Sequence, residues 1–170
     1  AALAQNAASG FDPAAAIRGF LTDSALLGAN TATIGSLSED GDTITVETVE
    51  MRWSTTIAAK DETITVNLSA DVPSLSVRGL AATDNGHSVE ALTIPSATVS
   101  VDVDGAPEEI SYEFTVTNYV MEGAEWAPFP VIKADPEAPV SRFGPLLDWA
   151  VGQSYQRSGA DKVSGTFVAG

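Results

Sequence analysis

The chain has 170 residues, no cysteine and one histidine, and it sets 8 basic against 23 acidic side chains for a net charge of −15. Without cysteine there is neither a disulfide framework nor a thiolate metal site, and a chain of this length can be held by a hydrophobic core alone. From Gly79 to Ile132 nine carboxylates stand without a single Lys or Arg. That argues against nucleic acid and against docking on anionic headgroups, since both are held through cations.

Ala2-Leu3-Ala4 ahead of Gln5 has the small-x-small pattern of a signal-peptidase site. Residues 1–10 are therefore expected to be a disordered segment left after cleavage, and the protein to be periplasmic or secreted. No stretch of about 18 uninterrupted apolar residues occurs, so no transmembrane segment is expected.

Phe11 to Gly28 reads as a helix. Asp12 can cap it, Pro13 suits its first turn, Gly28 can stop it, and Ile17, Phe20, Leu21 and Leu27 form an apolar face. The period then changes to two. Ile44 and Val46 alternate with threonines, while Val49, Met51, Trp53 and Ile57 continue on the other parity, which marks a bulge or bend in one long strand. Ile64, Val66, Leu68, Ala70 and Val72 form the next run, and Leu75 and Val77 follow. Asp84-Asn85-Gly86 is a hairpin signal. Leu92 and Ile94 lead to Pro95, then Val99, Val101 and Val103 alternate with Ser and Asp. After Gly105-Ala106-Pro107 the return strand places Ile110, Tyr112, Phe114, Val116 and Val120 on one face. Trp126 to Ile132 is an irregular aromatic segment expected to plug one end of the core. A second helix is expected from about Ser141 to Arg157, with Phe143, Leu146, Leu147, Ala150 and Val151 as its stripe.

The fold class expected is α+β: a bent antiparallel β-sheet with one apolar face covered by an N-terminal and a C-terminal helix. That unit spans residues 11–157. Residues 158–170 read as the start of a second repeat unit, because Val163-Ser164-Gly165-Thr166-Phe167 echoes Thr33-Ile34-Gly35-Ser36-Leu37 behind a helix and a Gly-Ala pair. A shorter echo links Val46–Met51 to Val89–Ile94.

No catalytic constellation is found, and the chain is read as not an enzyme. His87 sits beside a hairpin turn and reads as a turn residue. There is no Gly-x-Ser-x-Gly elbow, no phosphate loop and no dinucleotide fingerprint. A calcium loop placed with Gly105 at its sixth position has Ser100 and Ser111 where carboxylates belong, and one placed with Gly41 there begins on Ser36. No metal and no cofactor is expected. Glu108-Glu109, exposed in a turn, has no reason to split its pKa values as a glycosidase pair must.

The short strand hairpins rich in Thr, Val and Asp-Gly turns behind an N-terminal helix, from Ala25 to Val103, resemble the repeating β units of AsmA-like and related bacterial envelope proteins. Those families are associated with moving or housing lipids between membranes. The resemblance implies that Ile44, Val46, Met51, Trp53, Val66, Leu68, Tyr112 and Phe114 face a lipid-accessible interior. The plain alternative is that these side chains form a dry core. Two functions follow: an exported envelope domain binding a lipid or other hydrophobic ligand, or a non-catalytic structural or protein-interaction module with an acidic surface.

Overall fold

A computed structural model describes residues 2–25, 31–59, 62–106, 108–130 and 148–169. Two helices come first, α1 (Ala2–Ser9) and α2 (Pro13–Ala25), and nine strands follow. These are β1 (Thr31–Ile34), β2 (Leu37–Asp40), β3 (Thr43–Ala59), β4 (Glu62–Arg78), β5 (Ala81–Thr83), β6 (Gly86–Asp104), β7 (Ile110–Trp126), β8 (Arg157–Gly159) and β9 (Lys162–Ala169). All belong to one antiparallel sheet. The short strands share columns: β1 and β2 both lie along β3, β5 continues β4 along β6, and β8 and β9 both lie along β7. The sheet is a meander in which each column pairs with the one before it in the chain. Its long strands of 17 to 19 residues far exceed the usual five or six.

The expected α+β architecture is overturned, because strand takes 66% against 16% for helix and no pair of helices covers a sheet face. The C-terminal helix expected at Ser141–Arg157 falls partly outside the described residues. Within them only 148–151 are helical. Beyond Gly152, Ser154 exchanges backbone hydrogen bonds with Glu125 at 2.9 and 3.2 Å, and β8 pairs with residues 120–122 of β7. Gly152, Ser154 and Ser158 are weak helix formers, and the outer edge of β7 offers amides and carbonyls that need partners. Pairing therefore wins over local helical preference. At the other end, Ala2–Ser9, expected to be disordered, form α1, where Asn6 Nδ2 donates to Leu80 O at 2.8 Å and Gln5 Nε2 to Ala82 O at 2.6 Å. Residues 157–169 add the last column to the same sheet.

Helix α2 begins as expected: Asp12 Oδ1 accepts from Ala15 N at 3.0 Å, capping a helix whose first residue is Pro13. It lays Ala14 and Ile17 on the sheet, where they join Ile44, Val46, Val49, Val77, Leu80, Val89, Ala124 and Trp126 in the buried core. This core occupies only one end of the long strands, the end carrying the α-helices.

The strand breaks line up on one transverse crease. Gly35 and Ser36 separate β1 from β2 opposite Thr48, with Gly35 N donating to Thr48 O at 2.8 Å. Thr48 faces Pro73 between the pairs Glu47↔Ser74 and Val49↔Val72. The register of β4 on β6 shifts between Asp71 and Ser74. Pro95 faces Asn118 between Ile94↔Tyr119 and Ser96↔Thr117. Asn118 in turn donates from Nδ2 to Asp161, which separates β8 from β9, at 2.9 Å. Two prolines that cannot donate and two residues with positive φ, Thr48 (64°) and Asn118 (51°), thus sit on one line. Every long strand switches parity there, so Val120, expected on the face of Tyr112 and Phe114, turns to the opposite face and Tyr119 and Met121 take its place. In β3, Ile44 and Val46 before the crease share a face with Met51 and Trp53 after it.

A second crease nearer the helices uses glycine instead. Gly79 (φ 67°) and Gly123 (φ 58°) flank Glu90, and a Cβ on either would collide with the Glu90 or the Gln156 side chain.

A left-handed residue other than glycine costs about 1–2 kcal/mol, and a β-branched one is worse there. Asn118→Val is expected to lower the free energy of urea unfolding by about 2 kcal/mol, and Asn118→Gly to stay within about 1 kcal/mol of the parent. Equal losses for the two variants would show that the crease conformation is not what Asn118 provides.

Candidate functional site

Beyond the crease, directly opposed residues form rows across the sheet. Trp53 pairs with Leu68, Leu68 with Val101, Val101 with Tyr112 and Tyr112 with Phe167. The adjacent row runs Met51, Ala70, Val99, Phe114, Gly165, and the next on the far side runs Thr55, Val66, Val103, Ile110, Ala169. Since opposed residues of an antiparallel pair share a face and alternate residues return to it, one face of this half-sheet is apolar almost throughout.

The opposite face is polar to the same extent. Ser54 bonds Asn67 at 2.7 Å, Asn67 bonds Asp104 at 3.0 Å, Ser111 bonds Asp102 at 2.7 Å, and Arg52 pairs with Asp71 at 2.7 Å. Asp102 and Asp104, which lie within the calcium-loop register tested with Gly105 at its sixth position, are therefore held by neighbouring side chains on this outer face. Among the described residues no three His, Cys, Asp or Glu side chains converge to hold a metal ion.

The described helices do not reach the far part of the apolar face. Helix α2 packs on β1, β2 and β3, and α1 on β5. Accordingly Phe167 is 63% exposed, Val163 58%, Ile57 53% and Tyr112 38%. The Tyr112 ring lies over Gly165, whose missing side chain leaves room for it, and stands 6.5 Å from the Phe114 ring.

On the helix side of the crease the same face enters a cavity of about 280 Å³. Leu75, Val77, Leu92, Ile94, Tyr119 and Met121 make its floor, and Ile17, Phe20 and Leu21 of α2 its roof. Its inner end is an aromatic plug. Phe20 stacks on Phe129 at 4.6 Å, Phe129 stands 5.7 Å from Trp149, and Trp149 meets Trp126 edge-on at 5.9 Å. Gln153 fixes the plug: its Oε1 accepts from Ala127 N at 2.8 Å, its Nε2 donates to Trp149 O, and Trp149 Nε1 donates to Ala127 O at 3.1 Å. By register the cavity floor and the open rows lie on one face of the sheet, an apolar surface, here the trough, with the aromatic plug at its helix end.

Of the side chains expected to face a ligand, Met51, Trp53, Val66, Leu68, Tyr112 and Phe114 lie on the trough, in three adjacent rows. Ile44 (3% exposed) and Val46 (0%) do not; they are core beneath α2. Val101, Phe167 and the cavity floor were missed. Val101 carried the same alternation signal as its neighbours. The cavity floor depends on the crease, which sequence periodicity marked in β3 alone.

His87 stacks on Phe129 at 4.6 Å and lies 5.4 Å from Phe11. Burial holds its pKa below the ordinary 6.5, with the Ala127 backbone pulling weakly the other way. The chain matches no protein-family model, no curated protein and no solved structure. No helix among the described residues is long and apolar enough to cross a membrane.

Because the folded state resists protonating His87, the unfolded chain binds more protons just below pH 6.5, and stability must fall as pH drops through that value. His87→Phe keeps the stacking and removes the titration. Its thermal midpoint is expected to change less between pH 7.5 and about 5.5 than the parent's does, and identical slopes would remove His87 from the pH response.

Proposed function

We propose that this chain is an exported envelope domain that houses the hydrocarbon part of a lipid, or a similarly elongated apolar ligand, along the trough. The observation that carries this reading is the unbroken apolar surface running from the cavity under α2 across the crease to the row Trp53, Leu68, Val101, Tyr112, Phe167. Exposed apolar patches of this extent mark binding surfaces. The far part is about eight residues long, or roughly 27 Å at 3.4 Å per residue, and five columns wide, or roughly 19 Å at 4.8 Å per column, a flat apolar area long enough to carry extended hydrocarbon chains. Each methylene moved from water onto such a surface contributes about 0.8 kcal/mol. The likeness of the Ala25–Val103 hairpins to AsmA-like units points the same way.

The test is fluorescence with brominated fatty acid or phospholipid. Bromine quenches indole at short range, and Trp53 is the tryptophan on the open rows. Quenching is expected in the parent and in Trp149→Phe, and expected to fall sharply in Trp53→Phe. Val101→Asp, which puts a charge in the middle of the trough floor, is expected to weaken binding at least about tenfold. Saturable binding unchanged by Val101→Asp, or no binding at all, would overturn the proposal.

A further inference from the structure

The two lateral edges of the sheet are managed differently. At the β1–β2 edge, α2 packs against both strands, and β2 ends in Glu39-Asp40. At the other edge β9 runs for eight residues along β7, and nothing among the described residues pairs with its outer side. All eight of its residues are exposed. Its sequence, Lys162-Val-Ser-Gly-Thr-Phe-Val-Ala169, has one charge at its start and no proline. Natural edges of this length are normally blunted by inward charges, prolines, bulges or a covering element, and β9 carries none of these after Lys162.

We propose that the outer edge of β9 is an interaction surface for β9 of a second copy of this chain, the two strands pairing antiparallel about a twofold axis. This inference stands apart from the ligand reading and does not need it. A free edge is complemented by another free edge: β1 and β2 are four residues each and too short to template a partner strand, whereas Val163–Ala169 of β9 is a continuous uncharged run of exposed edge. A twofold axis normal to the sheet pairs the strands antiparallel and keeps both apolar faces on one side, so with Gly165 on the axis Val163 of each copy opposes Phe167 of the other on that face. Such an interface is isologous and closes on itself.

Charge selects the same edge. The chain carries −15 overall, which opposes self-association. The column formed by β8 and β9 holds Arg157 and Lys162 against Asp161, the reverse of the acidic β6 and β7 beside it. Two copies therefore meet least repulsion when they approach through β9. In an antiparallel pair the two Lys162 residues lie at opposite ends, so no like charges face each other.

Light scattering after size exclusion is expected to give a mass rising from 17.5 kDa toward twice that as concentration climbs. With a strand-edge interface at the small end of the specific range, the transition belongs at roughly 10 μM to 1 mM. Added salt should strengthen association by screening the net charge. Successive residues of β9 point their N–H groups alternately to β7 and to the free edge. Of Val163→Pro and Ser164→Pro, then, one removes an outward donor alone. That variant is expected to stay at 17.5 kDa at every concentration with its thermal midpoint nearly unchanged. Amide exchange in β9 of the parent protein should slow with rising concentration, which tests the same edge without any substitution. A constant monomer mass up to about 1 mM, or a dimer that survives both proline variants with no concentration-dependent protection in β9, would overturn the proposal.

Discussion

A β-strand can keep one face apolar only while its two-residue period runs without interruption, and here the period is interrupted on purpose in every long strand at the same height. Had only β3 slipped at Thr48, its neighbours would have presented polar side chains beside Met51 and Trp53, and the apolar rows would not exist. The coincidence of Pro73, Pro95 and the left-handed Thr48 and Asn118 on one line lets all columns reset together. Register between β3 and β4 is the same on both sides of the crease. The sheet therefore changes direction without exchanging its faces, and the surface under α2 continues into the open rows.

The fold is unevenly stabilised as a consequence. The helix end has a dry core with Val46, Val77 and Leu80 essentially sealed. The far end is held by backbone pairing and by the polar ladders of the outer face. Exposed hydrogen bonds such as Ser111 to Asp102 each contribute on the order of 1 kcal/mol. Side chains such as Phe167 and Val163, by contrast, forgo the roughly 1.5–3 kcal/mol that full burial of a large apolar residue brings.

The aromatic plug sets the polarity of the trough. Phe20, Phe129, Trp126 and Trp149 close one end, and Gln153 ties the segment after β7 to the helical turn at 148–151. In the proposed reading, these rings mark where a ligand lying on the trough would stop. The three tryptophans therefore divide into two jobs: Trp126 and Trp149 in the plug and Trp53 on the open floor.

Local signals were enough to determine that the middle of this chain is antiparallel strand, that α2 starts at a capped Pro13, that β3 changes parity after Val46, and that Met51 with Trp53, Val66 with Leu68, and Tyr112 with Phe114 share a face within their own strands. Each of these follows from spacing within a single element. Which residues the helices would cover was a different matter. Ile44 and Val46 carry the same pattern as Met51 and Trp53, and only their position beneath α2 makes them core. Nor could periodicity reveal that residues 154–159 would become a bridge and a strand, because that outcome rests on the unpaired edge of β7, far away in the chain. The alignment of the crease across columns, the cavity floor and the bare edge of β9 are likewise properties of register between strands, and register exists only once the sheet has formed.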